Sequence, residues 1–430
     1  MERLWLRYVP FDGEGSVELP GSKSEANRLL AFASLLEDEF VVENVPEVDD
    51  VTVFIEAMRA AGVTTTLSNG NLYVPTSIRN SDIGCVRLHL GMAGTAARFW
   101  TALACFRPGE TILTGDSRLC ERPMAPLLEA LRDAGADVTC LAQPDRFPIR
   151  IRGRSDFCPN EFRLSAGVSS QFLTALLLCA PALREGARIY YDRSRAVSQS
   201  YAEMTLRLLQ ELGVEWECLS WGYRLASRRP RNRGRVEADW SAASYPLAAA
   251  LLAPMKLRLN GLHADSPQGD RVQCQLYLQW GLKIEFDSKG AAVWNDTGRL
   301  VRAFDRDCSD TPDLAPTWAA LALFADGPCV LRGLHTLKFK ETDRVAALKN
   351  ELVKFGADVQ ADDASMRIVP GPFPERPPVV QTYGDHRMAM AFALAAFMPA
   401  GVIIENPAVV SKSFPRFWNE ARKWGVVAQK

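Results

Sequence analysis

The chain has 430 residues, 47% of them hydrophobic, with 50 basic and 51 acidic side chains. That length exceeds one ordinary core and predicts two or more domains, while the balanced charge excludes a global field that would draw the protein to nucleic acid or a membrane. No apolar stretch reaches the ~18 residues of a span and none at the N-terminus has signal length; the ten cysteines and four histidines form no C-x-x-C or H-E-x-x-H pattern, so a cytoplasmic protein with reduced thiols and no metal is expected.

In chain order, strands around residues 4–9 come first and have no evident partner nearby. Ser22-Lys23-Ser24 then opens an apolar helix through AFASLL. A second helix begins at Asp49-Asp50 and ends in AMRAAGV at Gly62, followed by a strand pair turning at Asn69-Gly70. The same order returns with Gly94-Thr95, FWTALACF, the strand ETILTG, Glu121-Arg122 and Gly135. It returns again with Ser169-Ser170-Gln171, FLTALLLCA, ARIYYD, Ser198 to Tyr201 and Gly213. A basic stretch, 228–235, precedes the fourth set: Asp239 and Ser241, PLAAALLA, Asp270-Arg271, Gly281 and the strand pair KIEFDSKGAAVW. The fifth runs from Asp313 through APTWAALALFA, CVLRGL and Lys340 to Arg344, ending at Gly356. The last runs from Asp385-His386-Arg387 through MAMAFALAAFM and Lys412-Ser413 to Gly425.

The openings at 22, 94, 169, 241, 313 and 386 recur every 72 to 75 residues, a fixed period of the kind that dictates architecture. Each unit reads as β-α-β-α-β-β. The sixth has no hairpin after Gly425, which the strands around residues 4–9 could supply. The expected fold is therefore α/β, a two-lobed inside-out α/β barrel of six such repeats, three per lobe. One lobe is discontinuous, residues 1–21 plus 239–430; the other is 22–238, with the stretch 228–235 marking the crossing. Units of this size argue against a solenoid.

Helix starts expose unpaired N–H groups and the positive end of the macrodipole, and so attract anions. The dipole disfavours cations there, yet Lys23, Arg122, Lys340, Arg344, Arg387 and Lys412 all fall within a turn of a predicted start. A common anionic ligand would offset that repulsion, with Arg suited to bidentate carboxylate or phosphate contact and Lys to a point charge that can move a proton. Taken singly, each residue has an ordinary explanation. Ser22, Ser169 and Asp313 could be N-caps, KETDR a solvated face, His386 a structural histidine and the glycines near Gly94 a tight turn. Recurrence in register favours the functional reading.

The segments LPGSKSEANR (19–28), GMAGTAAR (91–98), ERPM (121–124), SSQFLTALL (169–177), ASYPLAAA (243–250), PDLAPTWAALALFA (312–325), KETDR (340–344) and DHRMAM (385–390) together resemble the 5-enolpyruvylshikimate-3-phosphate synthase family. The resemblance implies transfer of the enolpyruvyl group of phosphoenolpyruvate to the 5-hydroxyl of shikimate 3-phosphate, in a cleft between the lobes. It implies a monomer with no metal or redox cofactor, and neither nucleic-acid nor membrane partners. By family pattern Lys23, Ser24, Arg28, Ser169, Ser170, Gln171, Ser198, Asp313, Thr336 and Lys340 hold shikimate 3-phosphate. Lys23, Gly94, Arg122, Gln171, Arg344, Arg387 and Lys412 hold phosphoenolpyruvate. Asp313 is the implied base for the 5-hydroxyl, Glu341 the acid toward the methylene carbon, and Lys23 the third catalytic group.

The chain departs from that pattern at Met92 and Phe99, where the family has Asn and Pro, at Thr336, where it has Asn, and at Gln199-Ser200, where it has Lys-Pro. A sibling family transfers the same group to UDP-N-acetylglucosamine but carries a reactive cysteine where this chain has Ser117, and Cys120 is out of register. A two-lobed anion-binding protein is the non-catalytic alternative and would carry an export signal. A P-loop kinase is disfavoured by the lack of G-x-x-x-x-G-K-[ST].

Overall fold

The computed structural model describes the chain except residues 1, 12, 166–168, 180, 181, 184, 185, 193, 195–197, 227–230 and 430. Residues 1–20 with 237–430 form one compact unit and residues 21–236 a second. Each has its own hydrophobic core.

Among the described residues the strands form six four-stranded mixed sheets, and all six share one pairing scheme: a parallel pair extended by two antiparallel neighbours. In the unit 21–236, Arg233–Arg235 lies parallel to Phe40–Glu43, which pairs with the hairpin Thr66–Ser68 and Asn71–Val74. Asn69 and Gly70 both have positive φ, 51° and 73°, as the hairpin turn read from their dipeptide requires. The second sheet joins Cys85–His89 and Gly109–Thr114 to Ile149–Gly153 and Asp137–Cys140. The third joins Glu161–Leu164 and Ala187–Tyr191 to Gly222–Ala226 and Glu215–Leu219.

The discontinuous unit repeats the scheme. Glu14–Glu18 lies parallel to Met255–Asn260, and Asp305–Asp307 parallel to Cys329–Arg332. Val379–Val380 lies parallel to Val402–Glu405, which pairs with Arg3–Tyr8, itself paired with Val426–Ala428. One expectation needs correction. Of the stretch 228–235, residues 228–230 lie outside the described residues, and Arg233–Arg235 is a strand within the unit 21–236. The chain changes unit after Val236, because the parallel bonds to Phe40–Glu43 hold Arg233–Arg235 in that sheet.

In the unit 21–236 the long apolar runs become the helices Lys23–Leu35, Gly94–Leu103 and Ser170–Cys179, which contact one another. In the discontinuous unit they become Trp240–Ala250, Ala315–Ala322 and His386–Phe392, and Ala315–Ala322 packs on the other two. Nearly every residue of these six helices is buried. Beyond the polar residues of their first turns they are largely apolar all round, so they occupy the interior of their unit, while the strands keep an alternating exposed face. The second helices end as expected: Gly62, Gly135, Gly213, Gly281, Gly356 and Gly425 all have φ between 82° and 100°, the left-handed cap that an L side chain resists. Among the described residues no helix is long and apolar enough to cross a membrane.

Candidate active site

In the discontinuous unit, charged side chains gather at the buried ends of these helices. Asp313 accepts from Arg344 Nη1 at 3.0 Å and Lys340 Nζ at 3.4 Å on one oxygen, and from Arg387 Nη2 at 2.8 Å on the other. Arg344 is nearly inaccessible. Besides Asp313 it donates from Nε to Asp385 at 2.7 Å and from Nη2 to both Glu341 at 2.9 Å and Asp385 at 3.3 Å. Burial alone would lower its pKa, but the fields of Asp385, Glu341 and Asp313 outweigh burial and raise it. Lys412 reaches the second oxygen of Glu341 at 3.4 Å. Asp385 also caps the helix His386–Phe392, accepting from Arg387 N at 2.9 Å. Thr336, in the turn Leu334–Phe339, has a buried hydroxyl without a hydrogen-bond partner among the described residues.

Two readings of local structure are corrected here. Asp313 does not cap a helix. Ala315–Ala322 starts two residues later, after Leu314, and receives no side-chain cap; the carboxylate is drawn instead to Lys340, Arg344 and Arg387. Lys412 ends the 3-10 helix Pro407–Lys412, where the dipole favours a cation, so it does not meet the repulsion expected of a helix start. Lys340 and Arg122 lie within a turn of the starts of Arg344–Leu352 and Ala125–Asp133, as expected. Arg344 and Arg387 do sit in first turns, where carboxylates compensate them.

The unit 21–236 assembles the remaining residues on four helices. Lys23, the first residue of its helix, pairs with Asp50 at 3.1 Å. Arg28 is buried and donates to Ser24 O at 2.7 Å, Thr205 Oγ1 at 2.8 Å and Tyr201 O at 3.1 Å, tying the helix Lys23–Leu35 to Gln199–Glu211. Burial pulls its pKa down to about 10, partly opposed by Tyr201 and Glu25. Phe99, the departure from the family proline, places its ring 5.8 Å from the Arg28 guanidinium, a cation–π distance. The Gln171 backbone N–H donates to the Ser169 hydroxyl oxygen at 3.3 Å, and its side-chain Nε2 donates to Thr95 Oγ1 at 3.2 Å. Ser170 begins the helix Ser170–Cys179 and is buried. Ser198 precedes the helix Gln199–Glu211 in a left-handed conformation, φ 52°, a strain that tends to mark functional positions.

Gly94 opens its helix directly against Arg122. A Cβ there would lie 2.9 Å from Arg122 Cζ and 3.0 Å from Arg98 Nη1, so only glycine leaves that guanidinium in place. Arg98 is buried, and its pKa is well below the ordinary value, first through desolvation and then through Arg122. Two adjacent guanidinium groups provide the charge that an anion requires.

A model of the EPSP synthase (3-phosphoshikimate 1-carboxyvinyltransferase) family matches residues 11–421. The chain belongs to this family. Curated relatives named 3-phosphoshikimate 1-carboxyvinyltransferase include that of Bordetella parapertussis, 38% identical over 419 residues covering 94% of each chain. That of Klebsiella pneumoniae is 35% identical over the full length of both. In fold the chain is similar to EPSP synthase of Acinetobacter baumannii, with a TM-score of 0.78 at 20% identity over 99% of each chain. The enolpyruvyl transferase NikO of Streptomyces tendae has a TM-score of 0.76 at 17% identity, covering 100% of this chain and 98% of that one.

Within this EPSP synthase family member, the residue patterns marked Asp385 and Asp50 as helix openings but gave neither a role in the site. Asp385 holds Arg344 by two hydrogen bonds, and Asp50 pairs with Lys23. Both stand where a helix start ordinarily carries an acidic residue, so nothing in the pattern marks them as partners of a distant cation. Cys120 donates to Gly115 O at 3.4 Å and is only partly exposed.

Proposed function

We propose that this chain transfers the enolpyruvyl group of phosphoenolpyruvate to the 5-hydroxyl of shikimate 3-phosphate and releases phosphate. Family membership and the naming of relatives at 35 to 38% identity support the reaction. The observation that carries the chemistry is one part-buried carboxylate, Asp313, whose donors Lys340, Arg344 and Arg387 all suit its ionised form. We infer that Asp313 accepts the proton of the 5-hydroxyl as that oxygen attacks C2 of phosphoenolpyruvate. Glu341, 2.9 Å from Arg344, delivers a proton to the methylene carbon. Departure of phosphate and loss of a proton from the resulting methyl group restore the double bond.

In this reading shikimate 3-phosphate is held by Lys23, Ser24, Arg28, Ser169, Ser170, Gln171, Ser198, Asp313, Thr336 and Lys340. Phosphoenolpyruvate is held by Lys23, Gly94, Arg122, Gln171, Arg344, Arg387 and Lys412, with Lys23 also catalytic. Fixed cations stabilise the phosphate charge, so no metal or redox cofactor is required. The near-balanced charge supports small-molecule partners rather than nucleic acid or a membrane, and we propose a cytoplasmic monomer. The two-lobed inside-out barrel of six repeats, three per lobe, with the discontinuous lobe completed by the N-terminal strand, is the architecture we propose. Six sheets of one pairing scheme support it.

A coupled assay of phosphate release, run with shikimate 3-phosphate and separately with UDP-N-acetylglucosamine, tests the function. Release with the first alone is expected. Release with the second alone would overturn the assignment.

A further inference from the structure

Glu351 is a buried acid in an unfavourable place. It lies fully buried in the last turn of the helix Arg344–Leu352, where both desolvation and the negative end of the helix dipole oppose a carboxylate. Three donors offset that cost. Lys354 Nζ donates to Oε2 at 2.7 Å, the Gln381 backbone N–H to the same oxygen at 3.1 Å, and the Tyr383 hydroxyl to Oε1 at 2.8 Å. Lys354 also donates to Val379 O at 2.9 Å. Gln381, Tyr383 and Val379 belong to one segment, which runs from the strand Val379–Val380 to the helix His386–Phe392.

The same segment is tied to the other end of the same helix. Arg344 and Glu351 stand seven residues apart, which places them on one face with about 10 Å, two turns, between them. Arg344 holds Asp385 by two hydrogen bonds, at 2.7 and 3.3 Å, while Glu351 holds the residues just before it. Between the two ties the chain bends sharply. Tyr383 and Gly384 both have positive φ, 53° and 70°, and Asp385 N donates to Thr382 O at 2.8 Å. A left-handed tyrosine is strained and persists only where its surroundings hold it; its hydroxyl is the group that Glu351 grips. Beyond the bend, Asp385 accepts from Arg387 N at 2.9 Å, and Arg387 Nη2 donates to Asp313 at 2.8 Å. Every link from Glu351 to Arg387 and Asp313 is thus a hydrogen bond or a short run of backbone.

We propose that Glu351 is a positioning residue of the anion site: through Gln381 and Tyr383 it fixes the bend that sets Asp385, and with Asp385 the Arg344 and Arg387 guanidinium groups that receive phosphoenolpyruvate. A single tie at Arg344 would let the segment pivot about Asp385. The second tie, two turns away, removes that freedom, so the guanidinium groups are ordered before an anion arrives. The identity of the anion rests on the proposed function; the hydrogen bonds from Glu351 to the bend do not.

The test is steady-state kinetics on E351Q and Y383F, with each substrate varied in turn and urea unfolding measured alongside. E351Q keeps the shape but turns an amide toward donors that need an acceptor. Y383F removes one hydroxyl from a side chain that is 37% exposed, so the variant should fold. KM for phosphoenolpyruvate should rise about tenfold in E351Q and about threefold in Y383F, the worth of a charge-assisted and a single hydrogen bond. Turnover should stay within about threefold and KM for shikimate 3-phosphate within about twofold, because most residues assigned to that substrate lie in the unit 21–236. A purely structural role would instead lower the urea midpoint with no preference between the substrates. That pattern, or an unchanged KM for phosphoenolpyruvate in both variants, would overturn the proposal. If E351Q does not fold, Y383F decides on the same criterion. Wild-type protein that neither turns over nor binds phosphoenolpyruvate would count against the proposed function alone. Inorganic phosphate then serves as the calorimetric probe: affinity about threefold weaker in Y383F supports the positioning role, and equal affinity overturns it.

Discussion

Replacing Asp313 with asparagine should separate binding from chemistry, because the side chain does not cap a helix and accepts from the cations Lys340, Arg344 and Arg387. Lys340, Arg344, Arg387 and Lys412 face the carboxylates of Asp313, Glu341 and Asp385, an excess of one positive charge that D313N doubles. An added unit charge ~6 Å from a bound anion is worth about 3 kcal/mol at an effective dielectric near 20, and screening at this partly exposed site reduces that to about 1. Phosphoenolpyruvate should therefore bind about fivefold tighter to the variant. Loss of a positioned proton acceptor should lower turnover by about 10² to 10⁴, equivalent to roughly 2.7 to 5.5 kcal/mol of barrier. Calorimetry paired with phosphate-release kinetics measures both on one preparation. Affinity lost in step with rate, or a rate that survives, would refute the reasoning and reduce Asp313 to a structural anchor for Arg344.

Arg344→Met leaves Asp385, which is fully buried, with an uncompensated charge. A loss of about 3–5 kcal/mol is expected in denaturant unfolding, and a loss below about 1 would show that other groups hold Asp385. Gly94→Ala forces Arg122 aside and should raise KM for phosphoenolpyruvate by about tenfold or more while kcat stays within a few fold; steady-state kinetics reports the split. Asp270 sets a pH dependence of stability. Its folded pKa of about 7 lies above the ordinary value of 3.8, so between these values the folded state holds the extra proton. Its contribution is complete below about pH 4 and is lost as pH rises through about 7. Urea midpoints near pH 5 and near pH 7.5 should therefore fall further in wild type than in D270N, and equal falls would contradict the assigned ionisation.

Much of this was legible because certain positions admit few residues. The cap glycines are visible since a left-handed φ excludes most side chains, and the six interior helices are visible because they are largely apolar beyond their first turns. The local setting of the charges was harder to read. Asp313 looked like a cap because an acidic residue before an Ala-rich run has the same composition whether it bonds the helix or a distant arginine. Lys412 looked like a residue at a helix start because a 3-10 turn is too short to leave a period. Asp270 stood in an unremarkable helix-start position. Only its hydrogen bond from Ser241, on a separate helix 29 residues earlier in the chain, distinguishes it.

The strand Arg3–Tyr8 lies inside its sheet, between Val402–Glu405 and Val426–Ala428. During synthesis it therefore leaves the ribosome about 400 residues before its neighbours exist. Among the described residues every strand of 21–236 pairs within that unit, which can therefore fold while the rest is being made. The first strand, meanwhile, must wait with both edges open, at risk of pairing with another nascent chain. The alternating charges of Arg3 and Arg7 on its exposed face offer some protection against that association. Truncation at either terminus would remove strands of the same sheet, so the two ends of this chain form a single folding element.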